Sequence, residues 1–214
     1  MRIVKIEDLV LTGRTVRLEP IGLHHVDGLL AAANADPSLY KWTVVAQTQQ
    51  AMQAYVETAM AAREGGTSQA FATIRLEDGA IVGSTRYFDM ECWSWPAGHA
   101  RHGNLYPDVC EIGYTWLTRS AIQTAANTEA KLMMLTHAFE AWGILRVCLH
   151  TDARNERSRA AMERIGCKFE GILRSHRMAS DFIARDSARY SIIATEWPEA
   201  KQRLMVVLLS AVQA

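Results

Sequence analysis

The stretch Cys110-Glu111-Ile112-Gly113-Tyr114-Thr115-Trp116-Leu117 decides the fold, together with the segment Ala125-Ala126-Asn127-Thr128-Glu129-Ala130-Lys131 that soon follows it. β-Branched and aromatic residues predict a strand over 109–117, and the second segment leads into a helical pattern over 127–142 that ends at Gly143. A strand that feeds a helix N-terminus leaves backbone N–H groups unpaired at the junction, where an anion such as a pyrophosphate can bind. Because most such junctions in α/β proteins bind nothing, the rest of the sequence has to decide between a binding site and a plain connection.

Before this stretch, changes of hydrophobic period predict three strands and two helices. The dipeptide Asp78-Gly79 is a strong hairpin signal between the second and third strands. The segment 89–108 contains several Trp, Gly and Pro residues, which predicts a structured loop. The predicted strands are 15–20, 70–76 and 81–88, and the predicted helices are 23–33 and 49–63.

After the stretch, the sequence predicts a strand, a short helix that ends at Gly166, two more strands and a terminal helix that begins at Pro198. The predicted ranges are 146–151, 155–165, 168–177, 187–195 and 198–211. We therefore expect a mixed α/β fold whose mostly antiparallel sheet has six or seven strands flanked by helices. Residues 1–214 are expected to form one domain, with a C-terminal helical extension at about 198–214.

Composition indicates a folded protein without a strong charge preference for its partners. Lys plus Arg equals Asp plus Glu at 23 each among 214 residues, so nothing points to nucleic acid or to an anionic membrane. Glu7 and Asp8 interrupt the N-terminal region where a secretory signal needs an apolar run, and the run 204–209 is too short to span a bilayer. We expect a cytoplasmic protein.

Cysteines and histidines give no metal or disulfide signature. The four cysteines lack paired spacing, which argues against a disulfide framework and against a zinc site. His99 and His102 form an H-x-x-H pattern in a loop without a third ligand nearby, so we predict no metal.

The segment 152–171 resolves the question that the first stretch left open. It contains Asn155, Ser158, Gly166, Glu170 and Gly171 in the pattern N-x-x-S followed by G-x-x-x-E-G. Together with E-I-G-Y-x-W at 111–116, N-T-E-A at 127–130 and A-F-E at 138–140, this pattern resembles the GNAT superfamily of N-acetyltransferases. The likeness is to the ribosomal-protein N-terminal acetyltransferase (RimJ/RimL-like) branch, and it spans about residues 12–197.

The resemblance implies an acyltransferase that moves acetyl directly from acetyl-CoA to a primary amine, without a metal. Such a reaction has to deprotonate the amine, polarise the carbonyl and stabilise the leaving thiolate. Glu111 is the candidate general base, and Ser158 is the candidate that stabilises or protonates the thiolate. The alternatives are that Glu111 is a salt-bridged strand end and that Asn155 and Ser158 only cap a helix.

The resemblance also assigns a set of residues to acetyl-CoA. Backbone N–H groups near Trp116 and Leu117 would bind the pantetheine arm and the thioester carbonyl. Simple alternation places Glu111, Gly113, Thr115 and Leu117 on one face of the strand, opposite Ile112, Tyr114 and Trp116. The full set is Trp116, Leu117, Thr118, Arg119, Gln123, Thr124, Ala125, Ala126, Asn127, Thr128, Asn155 and Ser158.

Two departures from the family pattern affect this assignment. The turn 120–126 lacks the glycines that usually let the backbone close on a pyrophosphate. Met162 stands where many relatives have a tyrosine that acts as general acid, so another donor or solvent must protonate the thiolate.

The sequence says least about the identity of the acceptor. Tyr40, Trp42, Trp93 and His102 lie in segments that flank the acceptor cleft in this fold, and Asp89, Glu91 and Asp108 could attract a cationic amine. The acceptor could be a protein N-terminus or a small amine, and the protein could be a monomer or a homodimer. The alternatives are an antibiotic-type amine acetyltransferase and an acyl-CoA-binding module without turnover.

Overall fold

The computed structural model describes residues 9–212, so the expectation for the N-terminal residues 1–8 lies outside the described part, as do residues 213–214. The helices are α1 (Val26–Asn34), α2 (Gln49–Glu64), α3 (Ala125–Thr136), α4 (Glu156–Arg164) and α5 (Trp197–Val212). The strands are β1 (Leu11–Thr12), β2 (Val16–Pro20), β3 (Gln69–Arg75), β4 (Ile81–Glu91), β5 (Val109–Leu117), β6 (Arg146–Asp152), β7 (Lys168–Met178) and β8 (Ala184–Ile193).

All eight strands form one sheet in the order β1-β2-β3-β4-β5-β6-β8-β7. Every neighbouring pair is antiparallel except β5 and β6, which are parallel. The mixed, mostly antiparallel α/β sheet is therefore confirmed, but six or seven strands was an underestimate. The additional strand is β1, whose two residues are too few to show a period in the sequence.

The sheet has a hydrophobic core on each face. The larger core contains Ile112 and Val147 from the sheet and Met134 from α3. The smaller core lies beneath α1 and α2 and contains Leu29 and Val56. The predicted C-terminal extension joins the larger core, because α5 contributes Trp197, Ala200 and Leu204 to it. Within residues 9–212, none of the helices combines the length and the apolarity that a membrane span needs.

Several predicted boundaries differ from the structure: β8 is Ala184–Ile193 instead of 187–195, and two further differences affect α3 and the loop after β4. Helix α3 begins at Ala125 rather than at 127, because the side chain of Thr124 accepts the N–H of Ala126 and caps the helix there. It continues as a π-helical turn over His137–Ala141, followed by Gly143 in the left-handed region. The loop predicted from 89 begins later, since β4 continues to Glu91.

Glu129 ties α3 to the turn between β1 and β2. Its buried carboxylate accepts the N–H groups of Arg14, Thr15 and Val16 at 2.7, 2.7 and 2.9 Å, and the Thr15 hydroxyl at 2.6 Å. A Cβ at Gly13 would lie 2.3 Å from Glu129 Cδ, so only glycine fits beside this carboxylate. The N-terminal half of the sheet is thereby fixed to the helix that follows β5.

Candidate active site

The two parallel strands β5 and β6 separate along their length and open a gap in the middle of the sheet. They pair only at Val109–Arg146, Cys110–Val147 and Glu111–Cys148, although β5 continues to Leu117 and β6 to Asp152. Backbone groups of β5 beyond Glu111 therefore face a space instead of a neighbouring strand. Because the strands are parallel, the elements that follow their carboxyl ends, α3 and α4, begin at the same edge of this gap.

A β-bulge at Tyr114 changes which side chains of β5 face each side of the sheet. Arg86 pairs with Gly113 while Ser84 pairs with Trp116, so β5 has one extra residue here, and Tyr114 has a φ of 49°. The predicted alternation is wrong beyond Gly113, because Thr115 faces α3 whereas Tyr114 and Trp116 face the side of α1 and α2. An extra residue in a strand reverses every later side chain, and composition does not reveal it.

The bulge leaves the main chain of Leu117 directed into the gap. The Thr118 N–H donates to the Val82 carbonyl of β4 at 2.8 Å. Successive N–H groups of a strand point to opposite sides, so the Leu117 N–H points away from β4. The side chain of Trp116 is buried in the smaller core, against Tyr40 with ring centroids 5.6 Å apart. Trp116 therefore offers its main chain rather than its side chain to a ligand in the gap.

Both helix N-termini at the edge of the gap are well formed. Thr124 caps α3, and the Asn155 side chain caps α4 by accepting the Ser158 N–H at 3.2 Å. Ala125, Ala126 and Thr128 are buried, and Asn127 is half-buried. The missing glycines are partly compensated at Gln123, whose φ of 61° lies in the region that glycine favours. The first turn of a twelve-residue helix thus offers N–H groups and a positive dipole end to an anion.

Glu111 lies at the apex of the gap and is 4% exposed. Its Oε2 accepts a hydrogen bond from Arg177 Nη2 at 2.9 Å. The Nδ1 of His150 lies 2.8 Å from the same oxygen, although the two are not aligned for a hydrogen bond. The Arg177 guanidinium also binds Asp89 at 2.7 Å and lies over the Phe88 ring. Glu111 is therefore both a salt-bridged carboxylate and the acidic group at the point where the strands part.

The remaining residues predicted to bind acetyl-CoA occupy different environments. Arg119 pairs with Asp36 through two of its nitrogens, at 2.7 and 2.6 Å. Thr118 is buried, and its hydroxyl contacts Ser120 at 3.1 Å. Ser158 is half-buried in the first turn of α4, whereas Met162 packs into the larger core. Of the two α4 residues, only Ser158 has a hydroxyl that could serve the leaving thiolate.

The four residues predicted to line the acceptor cleft do not come together. Tyr40 is buried beneath Trp116, so it supports the cleft from within the core. Trp42 is half-buried under the Arg154 guanidinium, which lies 5.0 Å from its ring centroid at the start of α4. Trp42 therefore connects the α1–α2 loop to the β6–α4 turn, beside the gap.

Trp93 and His102 belong to a loop that Asp108 organises at the amino end of β5. Asp108 is 2% exposed and accepts bonds from the Trp93 N–H, Trp95 Nε1 and Arg101 Nε. His102 contacts the Trp95 carbonyl at 2.8 Å. Across residues 9–212, no contact joins Trp93 or His102 to Glu111. Of the three carboxylates predicted to attract a cationic amine, Asp89 and Asp108 are paired with arginines, and Glu91 accepts a bond from Trp93 Nε1 at 3.4 Å.

Several charged residues near Glu111 were not singled out from the sequence. They lie on strands β4, β6, β7 and β8 and converge only through the sheet order. The sequence signal that could have identified them is a polar residue at an inward-facing position of a predicted strand. These residues are Arg86, His150, His176, Arg177 and Arg185.

Lys131 is a further buried group that the sequence reading passed over. Its Nζ donates to Thr85 Oγ1 at 3.0 Å and to Thr115 Oγ1 at 2.8 Å, immediately behind the bulge. Burial lowers the pKa of Lys131 to about 7. This amine holds the segment that follows Tyr114 against α3.

Glu19, His24 and His25 bring three potential metal-ligand atoms within 4.8 Å of one another at the end of β2. His25 Nε2 already contacts Glu19 Oε2 at 3.1 Å. Burial lowers the pKa of His25, while the contact with Glu19 opposes that shift.

The separated parallel strands, the bulge and the two helix N-termini define a class of protein. A profile of the acetyltransferase (GNAT) domain family matches residues 15–168, well over half of the chain. The chain therefore belongs to the GNAT acetyltransferase family. Acyltransferases of this family use acetyl-CoA as the acetyl donor.

Individual relatives agree with this assignment. A solved GCN5-related N-acetyltransferase from Brucella melitensis is 27% identical, with a TM-score of 0.80 over 95% of this chain and 87% of that one. A provisionally named acetyltransferase from T. thermophilus is 31% identical, with a TM-score of 0.75 over 96% and 100%. Mycobacterium smegmatis RimJ, solved with CoA-disulfide, shares the fold at 21% identity, with a TM-score of 0.77 over 94% and 95%.

A shorter match links the chain to a protein provisionally named a ribosomal N-acetyltransferase, YdaF of Bacillus subtilis. The two are 34% identical over 91 residues, which is 42% of this chain. The matched region spans about half the length of that relative, 49%.

Proposed function

We propose that this protein transfers acetyl from acetyl-CoA to a primary amine, and that the amine is the N-terminus of a protein or peptide. The observation that carries the proposal is the gap between β5 and β6, with Glu111 at its apex and two capped helix N-termini at its edge. The relative provisionally named a ribosomal N-acetyltransferase supports a protein acceptor. We therefore propose an enzyme with turnover, in place of a module that only binds acyl-CoA.

The residues present suit an acyl-CoA. The first turn of α3, from Thr124 to Thr128, supplies N–H groups for the pyrophosphate. The free edge of β5 supplies main-chain groups for the pantetheine amides, and the Leu117 N–H points to where the thioester carbonyl would lie. Acetyl-CoA brings an acetyl group on a good leaving group, the thiolate.

The chain's own residues then move protons. Glu111 accepts a proton from the acceptor amine, directly or through water, and the freed nitrogen forms a bond to the carbonyl carbon. The carbon–sulfur bond breaks, the sulfur leaves as thiolate, and the Ser158 hydroxyl or solvent protonates it. Arg177 holds the Glu111 side chain in a fixed position, so it acts as a positioning residue.

Thiol release from acetyl-CoA in the presence of N-terminal peptides tests the proposal. We expect Glu111→Gln to lower kcat about 100-fold or more, as expected for loss of a general base, while the Kd for acetyl-CoA from calorimetry stays unchanged. Glu199→Gln is the matched control, because Glu199 is exposed on α5. Ser158→Ala is expected to lower kcat less, because solvent can replace the hydroxyl.

Two outcomes would contradict the proposal, and a third would remove Glu111 from its mechanism. Absence of acetyl-CoA binding at millimolar concentration would show that the gap does not hold the donor. Binding without thiol release for any peptide or amine would leave a binding module in place of an enzyme. Full activity of Glu111→Gln would remove Glu111 from the mechanism and leave it as the partner of Arg177.

A further inference from the structure

The face of the sheet that carries Glu111 also carries several arginines, and three of them matter here. Helices α1 and α2 cover the β2–β4 side of this face, which leaves the side formed by β5, β6, β7 and β8 to polar residues. Arg86, Arg177 and Arg185 lie on this face, on β4, β7 and β8, and His150 and His176 contact each other there on β6 and β7. We call Arg86, His150, His176, Arg177 and Arg185 the basic cluster.

The carboxylates near the basic cluster are paired with Arg177 and Arg154 rather than with Arg86 or Arg185. Glu111 and Asp89 both bind the Nη2 of Arg177. Asp152 binds Arg154 through both of its carboxylate oxygens. Arg86 and Arg185 therefore have no carboxylate of their own among the described residues.

Arg86 is held in place by aromatic rings, but one of its hydrogen-bond donors has no acceptor among the described residues. Its guanidinium lies 5.1 Å from the Tyr55 ring centroid and 4.5 Å from that of Tyr114, so two aromatic rings fix its position. Its buried Nε has no hydrogen-bond acceptor in the described part of the chain. Leaving a buried charged donor unpaired is costly, so this guanidinium is suited to an additional anionic partner.

Arg185 shows the same feature from the other side of the gap. It is half-buried, and its Nε also lacks an acceptor within the described residues. Burial lowers the pKa of Arg185, as does the nearby Arg177, while Asp152 and Glu111 oppose the shift. Tyr114 lies under the Arg86 guanidinium and is also close enough to Arg185 to interact with it electrostatically.

We infer that the acceptor carries a carboxylate on the side chain of its first or second residue, and that Arg86 and Arg185 bind this carboxylate while the amine meets Glu111. This inference rests on the proposed function, because it assigns a substrate class to the same site. A planar guanidinium with free donors is the side chain best suited to a carboxylate.

The spacing of the residues favours a side-chain carboxylate over the α-carboxylate of a free amino acid. Arg86 pairs with Gly113 and Phe88 pairs with Glu111, so Arg86 and Glu111 are diagonal neighbours on one face. The Cα atoms of such neighbours are about 7–8 Å apart, so an amine at Glu111 and a carboxylate at Arg86 would be bound from separate strand positions. An α-carboxylate is only one carbon away from its amine, whereas an acidic side chain on the first or second residue reaches further.

The surface also disfavours a polycationic acceptor. An aminoglycoside-like amine would need uncompensated carboxylates, but those on this face are bound by Arg177 and Arg154. Placing further positive charge beside Arg86 and Arg185 is repulsive.

Matched peptides with amidated C-termini test the inference on the wild-type protein. We would compare Ser-Glu-Ala-Ala, Ser-Gln-Ala-Ala and Ser-Lys-Ala-Ala, together with Glu-Ala-Ala-Ala and Gln-Ala-Ala-Ala, by thiol release. The expected kcat/KM is about 10-fold or more higher for an acidic peptide than for its amide counterpart, the effect of one charge-assisted hydrogen bond. The lysine peptide is expected to be the poorest substrate.

Variants then identify the residues responsible. In Arg86→Gln and Arg185→Gln, the ratio of kcat/KM between the acidic and amide peptides should fall toward one. Arg164→Gln is the charge-matched control, because Arg164 is exposed at the end of α4, and its ratio should equal that of the wild type. If one variant fails to fold, the other variant and the wild-type peptide series still test whether the acidic side chain is recognised.

The outcomes separate this inference from the proposed function. Equal turnover of acidic, amide and lysine peptides would overturn the inference while the proposed function stands. Free glutamate acetylated faster than every peptide would assign the arginines to a small acceptor and overturn the peptide assignment. A loss of acetyl-CoA affinity in Arg86→Gln and Arg185→Gln, with the peptide preference retained, would assign the arginines to the donor. Absence of thiol release with every acceptor would overturn both.

Discussion

Lys131 is a buried amine without a carboxylate partner among the described residues. Its two acceptors are the hydroxyls of Thr85 and Thr115, which also contact each other at 2.9 Å. Two neutral hydroxyls compensate poorly for the loss of hydration of an ammonium group, so burial disfavours the charged form. Lys131 thus makes its hydrogen bonds behind the Tyr114 bulge while its burial lowers the free energy of unfolding, by an amount that depends on pH.

We predict that Lys131 makes stability rise with pH. The pKa of Lys131 is lowered from 10.5 to about 7 in the folded protein, so the unfolded chain binds more protons between these values. The penalty of Lys131 is therefore fully present below pH 7 and is relieved as pH rises toward 10.5. Between pH 7 and 9, the free energy of unfolding of wild type relative to Lys131→Met should rise by roughly 1 to 3 kcal/mol, since one pH unit is worth about 1.4 kcal/mol.

Urea denaturation at pH 7, 8 and 9 measures this difference, and subtraction of the variant removes most contributions from other titrating groups. Lys168→Met is the control, because Lys168 is exposed and pairs with Glu196. A difference between wild type and Lys131→Met that does not change with pH would show that Lys131 keeps its charge in the folded protein.

At the scale of elements, the β1–β2 turn depends on a side chain of α3. We predict that Glu129→Gln lowers the free energy of unfolding by about 2 to 4 kcal/mol. A glutamine offers one acceptor oxygen, and its amide group faces donors, whereas the carboxylate accepts four bonds. Glu57→Gln is the matched control, because Glu57 is exposed on α2. Urea denaturation at pH 7 measures both, and an equal effect of the two substitutions would refute the anchoring role.

The same carboxylate gives the turn a defined pH dependence. Burial opposes ionisation of Glu129, but bonds from Thr15, Arg14 and Val16 outweigh it, so the pKa of Glu129 is lowered in the folded state. This stabilisation is present above the unfolded pKa near 4.5 and is lost as pH falls through the folded value. The Glu129→Gln variant should therefore lose less stability on acidification than the wild type.

At the scale of the whole molecule, α5 is part of the main core. Leu204 is fully buried, the rings of Trp197 and Phe139 stack with centroids 5.1 Å apart, and Glu140 accepts bonds from Trp197 and Lys201. We propose that residues 9–212 unfold as one cooperative unit, because α5 shares its core with α3 and the sheet.

We predict that Leu204→Ala lowers the free energy of unfolding by about 2 to 5 kcal/mol and shifts one single transition. Leu209→Ala is the matched control on the same helix, because Leu209 is 55% exposed, and it should change stability by less than about 0.5 kcal/mol. Circular dichroism and tryptophan fluorescence should report coincident transitions. Two separate transitions would show that the C-terminal helix is an appendage that unfolds independently of the main core.

The sequence by itself determined the elements and the family. Periodicity, glycines and prolines place the strands and helices within a few residues, because local preferences act over short distances along the chain. The motifs at 111–116, 127–130 and 155–171 identified the family, and Glu111 at the start of its strand was found from them.

Only the tertiary structure decided the direction of side chains and the partners of charges. The Tyr114 bulge reverses the faces of β5, and nothing in its composition announces an extra residue. Glu111 meets Arg177, which is 66 residues away, because the sheet order brings β7 and β8 toward β5. Asp108 and Trp93 were predicted from the sequence to contact the substrate, but in the structure they hydrogen-bond to each other within a loop. Which charges a fold pairs depends on long-range packing, and the proposed acceptor preference rests on Arg86 and Arg185, whose Nε atoms have no acceptor among the described residues.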